Sequence, residues 1–196
     1  MSAEEIPGRY AMRWLVNDAL ARTPHNGVWV EVGVALGRGI AFMARTLIDA
    51  GRGDVALYAV DPWAGTARNG EQQANAGDPR HGDWSLFLDT MQKHASEELR
   101  RINIIRAPSV AAAKCFGDVG GVDLCILDGD HTKAAVLADL AAWAPLIRAG
   151  GTLGGDDHND FESPGVPQAL TEFFGEGQYE IRDEEESWAT WRRIAG

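Results

Sequence analysis

Basic residues are scarce in this chain: 18 Lys and Arg stand against 29 Asp and Glu, for a net charge of −11. That deficit argues against a nucleic-acid backbone or an anionic membrane surface as partner, since both need clustered cations. Cysteine is rarer still. Cys115 and Cys125 show no C-x-x-C spacing and both lie in apolar stretches, so they read as buried, reduced thiols of a cytosolic protein rather than nucleophiles, metal ligands or a disulfide. Long apolar runs are missing too, none approaching the ~18 residues of a membrane span. The acidic start Met1-Ser2-Ala3-Glu4-Glu5 does not read as a signal peptide. The expectation is a soluble, cytoplasmic protein. Repeats are absent, and the one biased stretch, Asp183-Glu184-Glu185-Glu186, reads as a solvated turn. A length of 196 residues suits a single domain, 1–196, with a sizeable core.

What is present is an alternation of strand and helix patterns. Met12, Leu15, Val16, Ala19 and Leu20 follow helical spacing and predict an amphipathic helix within an N-terminal segment, 1–24. Apolar runs predict strands at 28–33, 55–61, 102–106, 122–128 and 151–155, with helices at 38–50, 84–99, 109–116 and 132–148 between them. Near-continuous apolar strands joined by helices indicate a parallel sheet covered on both faces. A short helix at 166–174 is then followed by 178–183 and 188–194 around a polar turn, an antiparallel hairpin. The expected fold is α/β, Rossmann-like and doubly wound, with a mostly parallel seven-stranded sheet, an N-terminal helix and a C-terminal hairpin. The segment 62–83 is rich in Gly, Asn, Gln, Asp and Arg. It leaves the carboxyl end of the second strand, where ligands bind in such sheets, and reads as a lid or substrate loop.

The segment Trp29-Val30-Glu31-Val32-Gly33-Val34-Ala35-Leu36-Gly37-Arg38-Gly39 carries the chemistry. A strand, an acid, a glycine turn and a helix start bring backbone N–H groups to the strand's carboxyl end. Further acids close the second, fourth and fifth predicted strands: Asp61, Asp128, and the pair Asp156-Asp157. A carboxylate is costly to desolvate unless it meets donors or cations. Any one of these acids could cap a helix, but capping poorly explains the same feature at four strand ends. A nicotinamide dinucleotide turn would read G-x-G-x-x-G, whereas Gly33, Gly37 and Gly39 are spaced otherwise, with Ala35 in place of the second glycine. The acidic rim favours a ligand with a ribose and a cationic amino-acid end, without phosphates.

Glu31-Val32-Gly33 with Gly37, then Ala59-Val60-Asp61-Pro62-Trp63, Leu127-Asp128-Gly129-Asp130-His131, and Gly150-Gly151 leading to Asp156-Asp157 together resemble the class I S-adenosylmethionine-dependent methyltransferases. More narrowly they resemble the cation-dependent O-methyltransferases of the catechol and macrocin or sugar types. The resemblance covers roughly 28–160. It implies that Glu31, Gly33 and Gly37 line the methionine end of the cofactor and that Asp61 holds its ribose hydroxyls. Ser109 would contact the adenine, with a helix N-cap as its alternative role. Asp128, next to the cofactor, would join Asp156 and Asp157 as ligands of Mg²⁺ or another divalent cation, a hard ion suited to oxygen donors.

His131 stands where the catechol-type enzymes carry a lysine base. It is either the base, alongside Asp128, or a polar helix-start residue, with Lys133 as the fallback. His158 follows the acid pair and would either support those acids from behind or face substrate, while Trp63 and Trp84 from the loop would cover a substrate ring; His25, His81 and His94 read as surface residues. The implied reaction is methyl transfer to a small molecule with adjacent hydroxyls, a sugar or catechol, in a protein that leaves room for a homodimer. A hydroxylase or other oxidoreductase on the same scaffold and a non-catalytic cofactor-binding module are the competing readings.

Overall fold

The computed structural model describes residues 3–8, 10–64, 83–118, 120–157, 165–176, 180–182 and 187–191. Most of the predicted loop at 62–83, with His81, lies outside them, as do His158 and parts of the predicted hairpin. In chain order the elements are α1 (Arg13–Arg22), β1 (Val28–Val32), α2 (Arg38–Asp49), β2 (Ala56–Val60), α3 (Trp84–His94), α4 (Ser96–Leu99), β3 (Ile102–Ile105), α5 (Ser109–Ala113), β4 (Val122–Leu127), α6 (Lys133–Trp143), β5 (Ile147–Gly155), α7 (Gly165–Phe174), β6 (Glu180–Arg182) and β7 (Ser187–Trp191). The strands form one sheet in the order β3-β2-β1-β4-β5-β7-β6. The first five run parallel, and β7 is antiparallel to both β5 and β6. Among the described residues no helix is long and apolar enough to cross a membrane.

Alternation along each strand divides the core into two layers. Trp29, Leu57, Ala59, Leu124 and Ile126 face α1, α2 and α3, where Leu15, Ile40, Leu47, Phe87 and Met91 are fully buried. Val28, Val30, Val32, Cys125 and Leu127 face α5, α6 and α7 through Ala112, Leu140, Trp143 and Leu170. The alternation also puts Glu31 on the same side as Trp29, under α2.

Register does the rest of the positioning. Val32 pairs with Val60 and with Leu127, and Leu127 pairs with Gly155. The residues that follow these four, Gly33, Asp61, Asp128 and Asp156, therefore stand in one row along the carboxyl edge of the sheet. The strand order reverses between β1 and β4, the position at which such sheets bind ligands.

Three features differ from expectation. The helix predicted over 84–99 breaks at Ala95, whose φ of −145° and ψ of 45° divide it into α3 and α4. The helix predicted over 132–148 stops at Trp143. A 3-10 turn at Ala144–Leu146 follows, with Pro145 at its start, and β5 begins at Ile147, because proline cannot supply the next helical N–H. Cys115 is exposed rather than buried, since α5 gives way to a short 3-10 turn over Lys114–Phe116 that turns Phe116 inward instead; Cys125 is buried as expected.

Candidate active site

The turn after β1 is built by the row of strand ends around it. Gly33 adopts φ +86°, and a Cβ there would run into the backbone of Asp128 and Gly129. The Gly33 N–H donates to the carbonyl of Val60 at 2.9 Å, and Asp128 N–H donates to Val32 at 2.8 Å. Only glycine permits both this conformation and this approach. Gly37, at φ +94°, forms the left-handed N-cap of α2.

Asp61 is the organiser of that turn. Its Oδ2 accepts from the backbone N–H groups of Val34 and Ala35 at 2.9 and 3.0 Å, and Oδ1 accepts from Trp63 N–H at 2.6 Å. These bonds hold Ala35 and Trp63 in the left-handed region, at φ 48° and 45°, which side chains other than glycine's rarely adopt. Trp63 indole N–H donates in turn to the Ala35 carbonyl at 2.9 Å. Its ring is 2% exposed and packs against Trp84 and Phe87, with centroids 5.0 and 4.6 Å away. The structure thus places Trp63 in the core beneath the turn, where it shapes the site from below.

Glu31 is 1% exposed, yet its Oε2 has no hydrogen-bond partner among the described residues. Burial pushes its carboxyl well above the usual range, and the charges of Asp128 and Asp61 push it the same way. A buried acceptor without a donor is costly. Here it sits at the carboxyl end of β1 beside the first turn of α2, in a cradle that glycine leaves open, and so suits a ligand's cationic N–H group. Sequence reading overlooked a neighbour: Tyr10, ahead of α1, brings to the same space a second buried polar atom, a hydroxyl without a hydrogen-bond partner among the described residues. An isolated tyrosine outside any motif carries no signal of this.

Asp128 and Asp157 converge on His131. Its Nδ1 lies 2.6 Å from Asp157 Oδ2, a short ion pair, and Nε2 lies 3.4 Å from Asp128 Oδ1, a looser charge contact that makes no hydrogen bond. Asp157 reaches back to the ring from a left-handed backbone, φ 59°. Burial works against a charged imidazole, but the two carboxylates outweigh it and push His131 up to about 10. Burial raises Asp128 as well, with His131 opposing and Asp157 adding to the rise. Asp156, 9% exposed at the end of β5, borders a small cavity with Gly129, Asp130, His131 and Asp139. Among the described residues, as the side chains stand, no three His, Cys, Asp or Glu groups are arranged to hold a metal ion.

Other candidates find different partners. The Ser109 hydroxyl accepts from the Trp143 indole at 2.9 Å and bonds Asp139, while Pro108 takes the N-cap position of α5, so Ser109 is no side-chain cap. Burial raises Asp139 to about 6 despite that bond, with Asp130 contributing. Lys133 pairs with Glu172 of α7 at 2.6 Å, and His94 is half-buried against Glu5 rather than free on the surface. His25 is exposed, as expected.

Comparison with known proteins agrees with this geometry. A family profile described as a methyltransferase domain matches residues 30–158. No curated protein matches the chain in sequence. The solved structure of the O-methyltransferase NovP superposes with a TM-score of 0.74 at 16% identity, over 93% of this chain and 78% of its own. CalS11, a TDP-rhamnose 3′-O-methyltransferase of calicheamicin biosynthesis, gives 0.63 at 16% identity over 91% and 76%. Cofactor-bound Rv0187 from MTB gives 0.62 at 16% over 98% and 86%. At such identities these likenesses speak to the fold.

Proposed function

Because the chain belongs to the methyltransferase-domain family, and is by that membership an S-adenosylmethionine-dependent methyltransferase of the class I fold, we propose that it methylates a hydroxyl oxygen of a small molecule with adjacent hydroxyls, of the sugar or catechol kind. The observation that carries the reading is the grouping of Asp128, His131 and Asp157 on the same sheet edge as the Glu31–Gly33 turn. It sets proton-handling groups beside the place where the cofactor's methionine end would lie. The named activities of NovP and CalS11, an O-methyltransferase and a sugar-nucleotide O-methyltransferase, support oxygen as the acceptor atom.

Glu31, Gly33 and Gly37 would hold the methionine end of the cofactor, and Asp61 and Ser109 its nucleoside. Ser109 would do so while keeping its bonds to Trp143 and Asp139. The cofactor supplies a methyl activated by the sulfonium, and orienting the acceptor oxygen in line with it supplies much of the rate. Methyl transfer would make the acceptor hydroxyl strongly acidic, and its proton would have to leave. Asp128, whose carboxyl burial raises, would accept it while it is not bound to a cation. His131 is held protonated at neutral pH by its two carboxylates; in that state it would compensate the charges of Asp128 and Asp157.

Asp128, Asp156 and Asp157 are the proposed ligands of a divalent cation. The donor set of three carboxylates from adjacent strand ends suits a hard ion, although closing a shell requires Asp128 or Asp157 to turn away from His131. A divalent cation held there would polarise the acceptor hydroxyl and compensate the carboxylates.

The test is transfer of a labelled methyl from the cofactor to a panel of catechols and sugar nucleotides, with Mg²⁺ or with excess chelator. Label appearing on a vicinal diol, and faster with Mg²⁺, is the expected result. Undiminished transfer in chelator removes the metal from the proposal, and no transfer to any hydroxyl removes the acceptor class.

A further inference from the structure

Tyr10 belongs to none of the motifs that mark the cofactor site, yet it is built into that site. Its segment is fastened to the start of α2. The Arg38 guanidinium Nη1, one residue past the Gly37 cap, donates to the carbonyls of Ile6 at 2.9 Å and Gly8 at 2.6 Å. The Tyr10 ring then packs against Phe42, with centroids 5.6 Å apart. A Cβ built on Gly39, in the first turn of α2, would meet Tyr10 Cε2 at 2.6 Å and would collide with Glu31 Oε1. The phenol edge and the Glu31 carboxyl group thus share the space that Gly39 leaves open.

Both groups are unsatisfied. Tyr10 is 8% exposed and Glu31 is 1% exposed. The Tyr10 hydroxyl and Glu31 Oε2 have no hydrogen-bond partner among the described residues. Two buried polar atoms left unpaired on side chains that share one space would together be costly if nothing ever met them. Burial, with the charges of Glu31, Asp128 and Asp156 adding to it, keeps the phenol neutral. The phenol oxygen and the Glu31 carboxyl group leave two acceptors in one space, and a cation there would favour the ionised carboxyl against the rise that burial imposes; the missing complement is a group with several N–H donors and a positive charge.

We propose that the Tyr10 hydroxyl and Glu31 together cradle the primary ammonium group of the cofactor's methionine end, which makes the Arg38-fastened N-terminal segment a wall of the cofactor pocket. The assignment rests on the cofactor reading above and adds to it a binding residue from outside the glycine-turn motif. Tyr10 touches the cofactor at its non-reacting end, so its contribution is to affinity and positioning.

Calorimetry on the full chain tests it with two ligands: S-adenosylhomocysteine, which carries the amino-acid end, and 5′-methylthioadenosine, which lacks it. Tyr10→Phe keeps the ring and removes the hydroxyl. It should weaken S-adenosylhomocysteine about tenfold, the usual cost of a lost hydrogen bond to a charged group, and leave 5′-methylthioadenosine within about twofold. The melting temperature without ligand should hold or rise, since an unsatisfied buried hydroxyl is removed.

Equal weakening of both ligands would make Tyr10 a packing residue and overturn the proposal. Unchanged affinity for S-adenosylhomocysteine would overturn it too, and Glu31→Gln tells that case apart from a failure of the underlying reading. If Glu31→Gln loses binding while Tyr10→Phe does not, only the role of Tyr10 falls. If neither variant changes binding, the cofactor does not lie at this strand end and both readings fall.

Discussion

Replacing His131 by glutamine removes the positive charge between Asp128 and Asp157 while keeping a polar side chain of similar reach. The size of the effect follows from linkage. An imidazole has an ordinary pKa near 6.5, and the folded protein holds His131 up to about 10. A folded-state pKa raised above the unfolded value contributes stability that is fully present below ~6.5 and is lost as pH rises through about 10. At roughly 1.4 kcal/mol per pKa unit, the upper bound is about 5 kcal/mol, falling to about 3 kcal/mol at pH 8. In the variant Asp128 loses the charge that opposes its rise and can take up a proton instead, which recovers part of the loss, so about 2–3 kcal/mol near pH 6.5 is the expected net loss. The assay is urea unfolding of wild type and His131→Gln at several pH values from 6 to 10, in chelator throughout. The two stability curves should converge as pH approaches 10. A difference that is the same at every pH, or that grows toward high pH, would refute the view that His131 is a charged bridge.

Two further outcomes follow from the strand-end geometry. Gly33→Ala forces a Cβ into the backbone of Asp128 and Gly129 at a left-handed φ, so it should destabilise by about 3 kcal/mol or more; a melting temperature within a degree of wild type would show that the β1–β4 edge is not packed this tightly. Asp61→Asn keeps the shape but removes the charge that gathers three backbone N–H donors, so it should cost about 1–3 kcal/mol of stability and weaken cofactor binding too, read by denaturation and calorimetry on one preparation. Full stability with weakened binding would mean that Asp61 serves the ligand and not the turn.

The Glu31–Gly33 turn and the row of strand-end acids were legible from local pattern alone. An apolar run, an acid and a glycine within a few residues are a short-range signal, and the side-chain period of two assigns faces without knowledge of the fold. The same logic gave the alternation of strands and helices, and it failed where a single local event intervened, at Ala95 and at Pro145. It failed also for Cys115, where the apolar composition of a stretch says nothing about which side of a short turn each residue takes.

Contacts between distant segments were beyond it. That His131 bridges Asp128 and Asp157 depends on the register of β4 against β5 and on a left-handed Asp157. That Ser109 is joined to Trp143 and Asp139 depends on how α5 lies against α6. Trp63, read as a substrate residue from its place on a loop, proved to be core because Asp61 folds the chain back beneath the turn. Tyr10 carried no sequence signal at all, since only the Arg38 clamp on Ile6 and Gly8 delivers it to Gly39 and Glu31. The sequence by itself determined which residues could line a sheet edge, because periodicity and turn chemistry act over a few residues. Which of them meet, and with what charge, was decided only by the tertiary structure, because burial and pairing set a group's protonation and both arise from chain segments far apart in sequence.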